Sequence, residues 1–156
     1  MVSEDIVSKR VGQFQRWIVA SPDYLARSGV LEHPRDLLEH QCLRFDYGGS
    51  HHHWTFQGDE EPIQLNVAGR LQSNNADILR EAAIGGGGVA LLADWLVRDD
   101  VAAGRLTRLL EHYEVNPGSA SSCINALYLP NHRGSSRINV FIDFLVEILK
   151  PAAPAA

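Results

Sequence analysis

The chain has 156 residues, of which 45% are hydrophobic and 21% charged, and a formal net charge of −5. These values fit one globular domain and exclude a chain that is disordered or a coiled coil throughout. The negative charge disfavours nonspecific binding to nucleic-acid phosphates. The first ten residues contain neither an apolar signal core nor an Arg-rich presequence, and no apolar run reaches the ~20 residues that span a bilayer. We therefore expect a cytoplasmic chain without a membrane partner.

Strands and short helices alternate along the first half of the chain. After a polar start, bulky and β-branched residues at 14–20 predict a buried strand. A short helix follows, because Ser21 can act as its N-cap and Gly29 stands just past its end. A weaker helix signal at 33–40 leads to a predicted strand at Cys42–Phe45.

The middle of the chain predicts a hairpin and a helix. Residues 54–57 and 63–71 can pair as antiparallel strands around a polar tip. Apolar residues then recur with the period of a helix between positions 75 and 85. A short buried strand is expected at 89–92.

The second half continues the alternation. Two short helical turns are expected at 94–100 and 100–104, followed by a strand at 105–110 and a last strand at 123–130. A final helix should begin near Ser136 and end before Pro151, leaving 151–156 as a disordered tail. The residues predicted to form its apolar face are Ile138, Phe141, Ile142, Leu145 and Leu149. Strands interleaved with helices indicate an α/β domain.

Four consecutive glycines, at positions 85–88, raise the question of a phosphate-binding loop. A dinucleotide-binding loop needs its glycines after a strand and before a helix, whereas these follow the predicted helix. No Lys-Ser or Lys-Thr pair comes after them, so a P-loop is excluded as well. The order predicts a helix C-cap that turns the chain into the next strand.

The strand-to-helix junction at Ser73, Asn74 and Asn75 has the opposite polarity. Free backbone N–H groups at the start of a helix attract anions. Serine and asparagine are also preferred N-cap residues, which explains the same sequence without a ligand. From the residues alone, both interpretations of this junction stay open.

Other chemistry-bearing residues form no recognisable catalytic pattern. His51, His52 and His53 suggest a transition-metal site, but they lack the carboxylate or distant Cys/His support that such sites use, and a solvated loop explains them too. Cys42 and Cys123 are far apart and without CxxC spacing, so we expect two buried, reduced thiols. No GxSxG elbow is present, and we predict neither a catalytic nor a metal-binding residue.

Four segments follow one another in a characteristic order: "VSKRVGQFQRWIVASPDYLARSGVLEHPRDLLEHQCLRF", "WTF", "GRLQSNNADILREAAIGGGGVALLADWLVRDDVAAGRLTRLL" and "RINVFIDFLVEIL". None is diagnostic alone. Their order and spacing over residues 7–149 resemble the effector-binding domain of LysR-type transcriptional regulators. The resemblance implies a periplasmic-binding-protein-like fold of type 2: two α/β subdomains with mixed sheets flanked by helices, joined by crossover strands, with a small effector in the cleft between them.

The resemblance also implies which parts of that domain are present. We expect residues 1–150 to hold the second subdomain, the crossover strands and the closing helix. The N-terminal DNA-binding domain and the opening part of the first subdomain are expected to be absent, so DNA would be contacted only through a domain outside this chain. The final helix then lacks the subdomain that it normally covers, which predicts self-association through its apolar face.

By position, the resemblance places the effector at Ser73, Asn74 and Asn75, with Ser21 and Asp94 as further candidates near other strand ends. The implied function is effector sensing in a transcriptional regulator, without enzymatic activity or a cofactor. The helix-start amides favour an anionic effector. The alternative function is a small metal-dependent enzyme that uses the loop at His51, His52 and His53.

Overall fold

The computed structural model describes residues 6–48, 53–118, 120–132 and 134–150. The strands are β1 (Val7–Gln13), β2 (Arg16–Ala20), β3 (Cys42–Phe45), β4 (His53–Gln57), β5 (Ile63–Asn66), β6 (Gln72–Ser73), β7 (Val89–Ala93), β8 (Thr107–Leu109), β9 (Glu114–Pro117) and β10 (Cys123–Tyr128). The α-helices are α1 (Pro22–Ser28), α2 (Ala76–Ile84), α3 (Asp94–Ala102) and α4 (Ser136–Ile148). Short 3₁₀ helices cover Pro34–Glu39 and Pro130–His132. No helix in the described ranges is long and apolar enough to cross a membrane.

The chain forms two compact units, and the larger comprises residues 15–121. Its central sheet has the strand order β6-β3-β7-β2-β8, in which β6, β3 and β7 are parallel and β2 runs antiparallel to both neighbours. A second sheet has the order β5-β4-β9. The mixed sheet and its helices confirm the predicted α/β class.

Alternating side chains of the central sheet divide the core of the larger unit into two clusters. Ile18 and Leu91 point to one face, where they join Trp54 and Phe56 of the second sheet. Val19 points to the other face, where residues of α2 and α3 cover the sheet. Both faces are therefore buried, as continuous apolar runs in β2 and β7 require.

The glycines at 85–88 link α2 to β7, in the order that the sequence predicts. Gly86 has φ of 81°, a conformation that residues with a Cβ rarely adopt. A Cβ on Gly88 would lie 2.3 Å from the carbonyl oxygen of Gln41, so the chain passes too close for any side chain. These glycines therefore shape the turn and the close packing of β7 beside the residue that precedes β3.

Several local predictions differ from the structure, and the strand predicted at 63–71 ends at Asn66. The polar start of the chain contains β1, and β9 was not predicted. Both strands are mostly polar, and hydrogen bonds to distant strands define them. The two helical turns predicted at 94–100 and 100–104 form one helix, α3, and Asp100 near its C-terminal end is held by an ion-pair cluster.

The cysteine prediction holds for one thiol and not for the other. Both cysteines are free, and Cys42 is fully buried, with its thiol pKa raised by burial to about 12. Cys123 is only half-buried on β10, so the expectation of a second buried thiol is wrong.

The smaller unit comprises the chain up to Phe14 and from Ser122 onward. In it β1 and β10 pair antiparallel, and α4 packs against β1. The predicted apolar face of α4 is largely turned inward: Ile142 is buried, and Ile138, Leu145 and Leu149 are half-buried. Phe141 is 59% exposed, because it lies on a separate outward side of the helix. The predicted disordered tail at 151–156 lies outside the described residues.

Candidate functional site

One edge of the central sheet collects most of the polar residues that the sequence singled out. The parallel strands β6, β3 and β7 end together at this edge, which places Ser73 beside Phe45 and the start of α3 nearby. The antiparallel strand β2 begins there, with Arg16 paired to Ala93. The junction at Ser73 and the first residue of α3, Asp94, therefore share one edge, as the carboxyl ends of parallel strands do.

The junction between β6 and α2 is held by its own side chains. The Ser73 hydroxyl accepts a hydrogen bond from the Asn75 amide at 3.1 Å, and the Asn75 side chain accepts one from the Asp77 amide at 2.9 Å. Asn75 is thus the N-cap of α2. Asn74 is exposed and stands between these two bonded residues. Capping, which needs no ligand, is therefore confirmed for Asn75.

Asp94 is engaged by neighbouring groups on three sides. Its Oδ1 accepts hydrogen bonds from the Trp95 amide at 2.9 Å and the Gln15 amide at 3.3 Å. Its Oδ2 pairs with the Arg98 guanidinium at 2.9 Å. The carboxylate thus satisfies the first turn of α3 and ties it to the residue before β2, while Arg98 offsets its charge.

Ser21 lies at the opposite edge of the sheet, because β2 runs antiparallel to β7 and Ser21 follows its carboxyl end. The residue is 3% exposed, and its hydroxyl accepts a hydrogen bond from the Tyr24 amide at 3.1 Å. It is the N-cap of α1. The structure does not bring Ser21 together with the other four predicted residues.

Arg16 and Tyr47 are polar residues of this edge that the sequence analysis missed. Arg16 Nη1 donates to Asn116 Oδ1 at 2.8 Å, and the Arg16 guanidinium lies close enough to the Tyr47 hydroxyl to influence its pKa. Burial raises the pKa of Tyr47, and the adjacent Arg16 charge offsets part of that rise. The available signal was the position of Arg16, a charged residue at the start of an apolar strand.

Aromatic side chains lie among these polar groups. The rings of Phe45 and Tyr47 are 4.7 Å apart, and the Arg108 guanidinium stands 4.4 Å from the centre of the Trp17 ring. Trp95, next to Asp94, is 65% exposed. The edge therefore offers both hydrogen-bonding groups and flat apolar surfaces that a small molecule could contact.

A buried ion cluster fixes the two helices that begin at this edge. Asp100 of α3 is 1% exposed and accepts from Arg80 of α2 at 2.6 Å and from Arg105 at 2.8 Å. Hydrogen bonds from Arg80, followed by those from Arg105, keep the pKa of Asp100 below its ordinary value although burial opposes them. The cluster therefore holds α2 and α3 in one relative position.

The metal hypothesis gains no geometric support. In the described ranges, no three His, Cys, Asp or Glu side chains are grouped so that they could hold a metal ion. His53 belongs to β4, whereas His51 and His52 lie outside the described residues.

Comparison with known proteins identifies the family. Residues 2–150 match the model of the LysR substrate binding domain. Because this match covers nearly the whole chain, the chain belongs to that family.

Curated relatives agree with this assignment. The HTH-type transcriptional regulator CrgA of Neisseria meningitidis serogroup C (strain 8013) is 34% identical over 132 residues, which cover 85% of this chain and 43% of CrgA. The uncharacterized HTH-type transcriptional regulator YcaN of Escherichia coli (strain K12) is 31% identical over 149 residues, which cover 93% of this chain and 46% of YcaN. The chain spans less than half the length of these two relatives.

Solved structures confirm the fold. The regulatory domain of CrgA from Neisseria meningitidis matches with a TM-score of 0.75 and 30% identity, over 96% of this chain and 72% of that one. The full-length Vibrio cholerae virulence activator AphB matches with a TM-score of 0.75 and 26% identity, over 95% of this chain and 49% of that one. The predicted periplasmic-binding-protein-like fold of a LysR regulatory domain is therefore correct.

Proposed function

We propose that this chain is the effector-sensing part of a LysR-type transcriptional regulator and that it makes or breaks no bond in its ligand. The family match over residues 2–150 carries the proposal. The relatives reported above are transcriptional regulators by name, which favours a regulatory role over the metal-dependent enzyme. A regulator of transcription acts where the DNA is, so we place the protein in the cytoplasm.

Within the larger unit, we propose that the effector contacts Ser73, Asn74 and Asn75, with Asp94 bordering the site. The support is their position at one sheet edge, where α2 directs the positive end of its dipole outward. This polarity favours an anionic effector. Ser21 stays a prediction that rests on the resemblance alone, since it lies at the opposite edge.

The proposed mechanism is a shift between existing arrangements of the regulator. An effector that binds one arrangement more tightly raises its population, and this changes how subunits dock. DNA would be contacted through a domain outside this chain, and docking would set the spacing of such domains. The proposed domain bounds are 1–150, with 151–156 as a tail. We also propose self-association through α4.

Anion titration followed by NMR tests the effector site. We expect acetate and sulfate to shift amide signals at residues 73–77, with an affinity on the order of millimolar, about −4 kcal/mol, because the junction is exposed. Asn74→Ala should weaken these shifts and leave the unfolding midpoint unchanged, because Asn75 rather than Asn74 caps the helix.

Asn75→Ala is the matched variant that separates capping from binding. It should lower stability by about 1 kcal/mol through loss of the cap. Shifts confined to residues 85–88, or shifts at 73–77 that Asn74→Ala leaves intact, would contradict the proposed site.

A further inference from the structure

A cavity of about 340 Å³ opens beside the amino ends of the three parallel strands of the central sheet. Gln41 directly precedes β3, Leu71 directly precedes β6, and Gly87 belongs to the turn before β7. The cavity therefore lies at the edge opposite to the junction at Ser73, where the same strands end. Its lining residues are Gln41, Leu43, Arg70, Leu71, Ala82 and Gly87.

Backbone hydrogen bonds hold the walls of this cavity in place. On one side, the Arg44 amide donates to the Leu71 carbonyl at 3.1 Å, which fixes the residues before β6 against β3. On the other side, the Gly87 amide donates to the Ala82 carbonyl at 2.8 Å and closes the end of α2. A ligand therefore meets walls that are already ordered, which lowers the entropic cost of binding.

The lining is apolar where it is buried and basic where it is exposed. Leu43 is buried, and Leu71 and Ala82 are half-buried. Arg70 is exposed, and no hydrogen bond or ion pair joins its side chain to another described residue. A guanidinium of this kind can hold a carboxylate through two parallel hydrogen bonds.

We propose that this cavity binds a small carboxylate that carries a short apolar chain. The carboxylate pairs with Arg70, and the chain contacts Leu43 and Ala82. The end of α2 sets this orientation, because the partial negative charge at the carboxyl end of a helix repels a carboxylate from the Ala82 side. The proposal concerns a site separate from the proposed effector site and does not depend on it.

The volume of the cavity limits the length of the chain. A water molecule occupies about 30 Å³ in the liquid, so a cavity of about 340 Å³ holds on the order of ten non-hydrogen atoms. A carboxylate with a chain of roughly four to eight carbons fits this space. Hexanoate is therefore a suitable probe.

An NMR titration of the 156-residue chain with hexanoate, up to about 50 mM, tests the proposal. We expect shifts of the amide signals of the lining residues, with an affinity on the order of millimolar. Acetate lacks the chain and hexan-1-ol lacks the carboxylate, so each should bind there at least about tenfold more weakly.

Two variants of the lining test its two halves. Arg70→Gln removes the charge and should weaken hexanoate binding by about tenfold, with an unchanged unfolding midpoint. Ala82→Leu fills the cavity and should abolish binding, and leucine is a good helix former, so the chain should still fold. Arg35→Gln is the matched control, because Arg35 is also exposed in the larger unit but does not line the cavity. It should bind hexanoate like the parent chain.

The outcomes decide the proposal. It is overturned if hexanoate leaves the signals of the lining residues unchanged, or if acetate or hexan-1-ol binds there as tightly as hexanoate. Undiminished binding in either Arg70→Gln or Ala82→Leu also overturns it, as does equal weakening by Arg35→Gln, which indicates only general attraction to positive charge. Shifts at residues 73–77 report on the effector site and are judged separately.

Discussion

At the scale of single residues, Asp100 is a carboxylate of the larger unit that two arginines neutralise. It is buried, yet Arg80 and Arg105 both donate to it, at 2.6 Å and 2.8 Å. Removal of one charged side chain from such a cluster leaves the charges of the remaining side chains uncompensated. We expect the resulting loss of stability to affect the sheet edge, because the cluster joins α2 and α3, which both begin at that edge.

Asp100→Asn should therefore lower the free energy of unfolding by about 2–3 kcal/mol, measured by urea denaturation. Asn keeps the size of the side chain and removes its charge. Glu147→Gln breaks an exposed ion pair with Lys150 and should change stability by less than about 0.5 kcal/mol. Equal effects of the two substitutions would show that the buried Asp100 cluster contributes no more to the free energy of unfolding than an exposed ion pair does.

The same carboxyl predicts a pH dependence. The pKa of Asp100 in the folded chain lies below its ordinary value of 3.8, so the unfolded chain binds more protons between the two values. The stabilisation is fully present above the unfolded pKa and is lost as the pH falls through the folded pKa. We expect the difference in stability between the parent chain and Asp100→Asn to be constant from about pH 5 to 7 and to shrink below about pH 4. A difference that grows on acidification would contradict this assignment.

At the scale of elements, the turn between α2 and β7 depends on backbone that only glycine provides. Gly88 has φ of 153° and lies against the Gln41 carbonyl. Gly104 has φ of 77°, but a Cβ placed on it would meet no atom of the described residues within 4 Å. A comparison of Gly88 with Gly104 therefore distinguishes the cost of backbone strain from the cost of a steric collision.

Gly88→Ala should cost more than Gly104→Ala in urea denaturation. Gly104→Ala adds strain of about 1 kcal/mol through its positive φ. Gly88→Ala must also displace the Gln41 backbone, and we expect a total of about 2–4 kcal/mol. Equal costs would mean that β3 and β7 yield to the added methyl group without loss.

Local patterns predicted the elements whose own side chains define them. Ser21 and Pro22 marked α1, and Asn75 marked the start of α2, because capping and helical periodicity act over a few residues. The strands β1 and β9 were missed, because their pairing to β10 and β4 is made far along the chain. The apolar stripe of α4 was expected to lack a partner, and Phe141 is indeed exposed, but Ile142 is buried, since spacing alone does not show which side of a helix is covered.

The candidate site also combines features that local sequence predicts with features that depend on distant strand pairing. Ser73 and Asp94 could be proposed from strand ends and helix starts, and the topology brings them to one edge. Ser21 has the same local pattern, but the antiparallel direction of β2 carries it to the other edge. Arg16 and Tyr47 meet only because β2 and β3 flank β7 in the sheet order, which no local signal contains.

At the scale of the whole molecule, we expect this chain alone not to bind promoter DNA. The substrate-binding-domain match accounts for residues 2–150, which leaves seven of 156 residues for any other function. The net charge of −5 supplies no attraction to phosphates in place of a recognition helix. Fluorescence anisotropy with DNA from upstream of its own coding sequence should show no binding at about 150 mM salt. A specific signal that survives excess competitor DNA would contradict the proposal that DNA is contacted only through another domain.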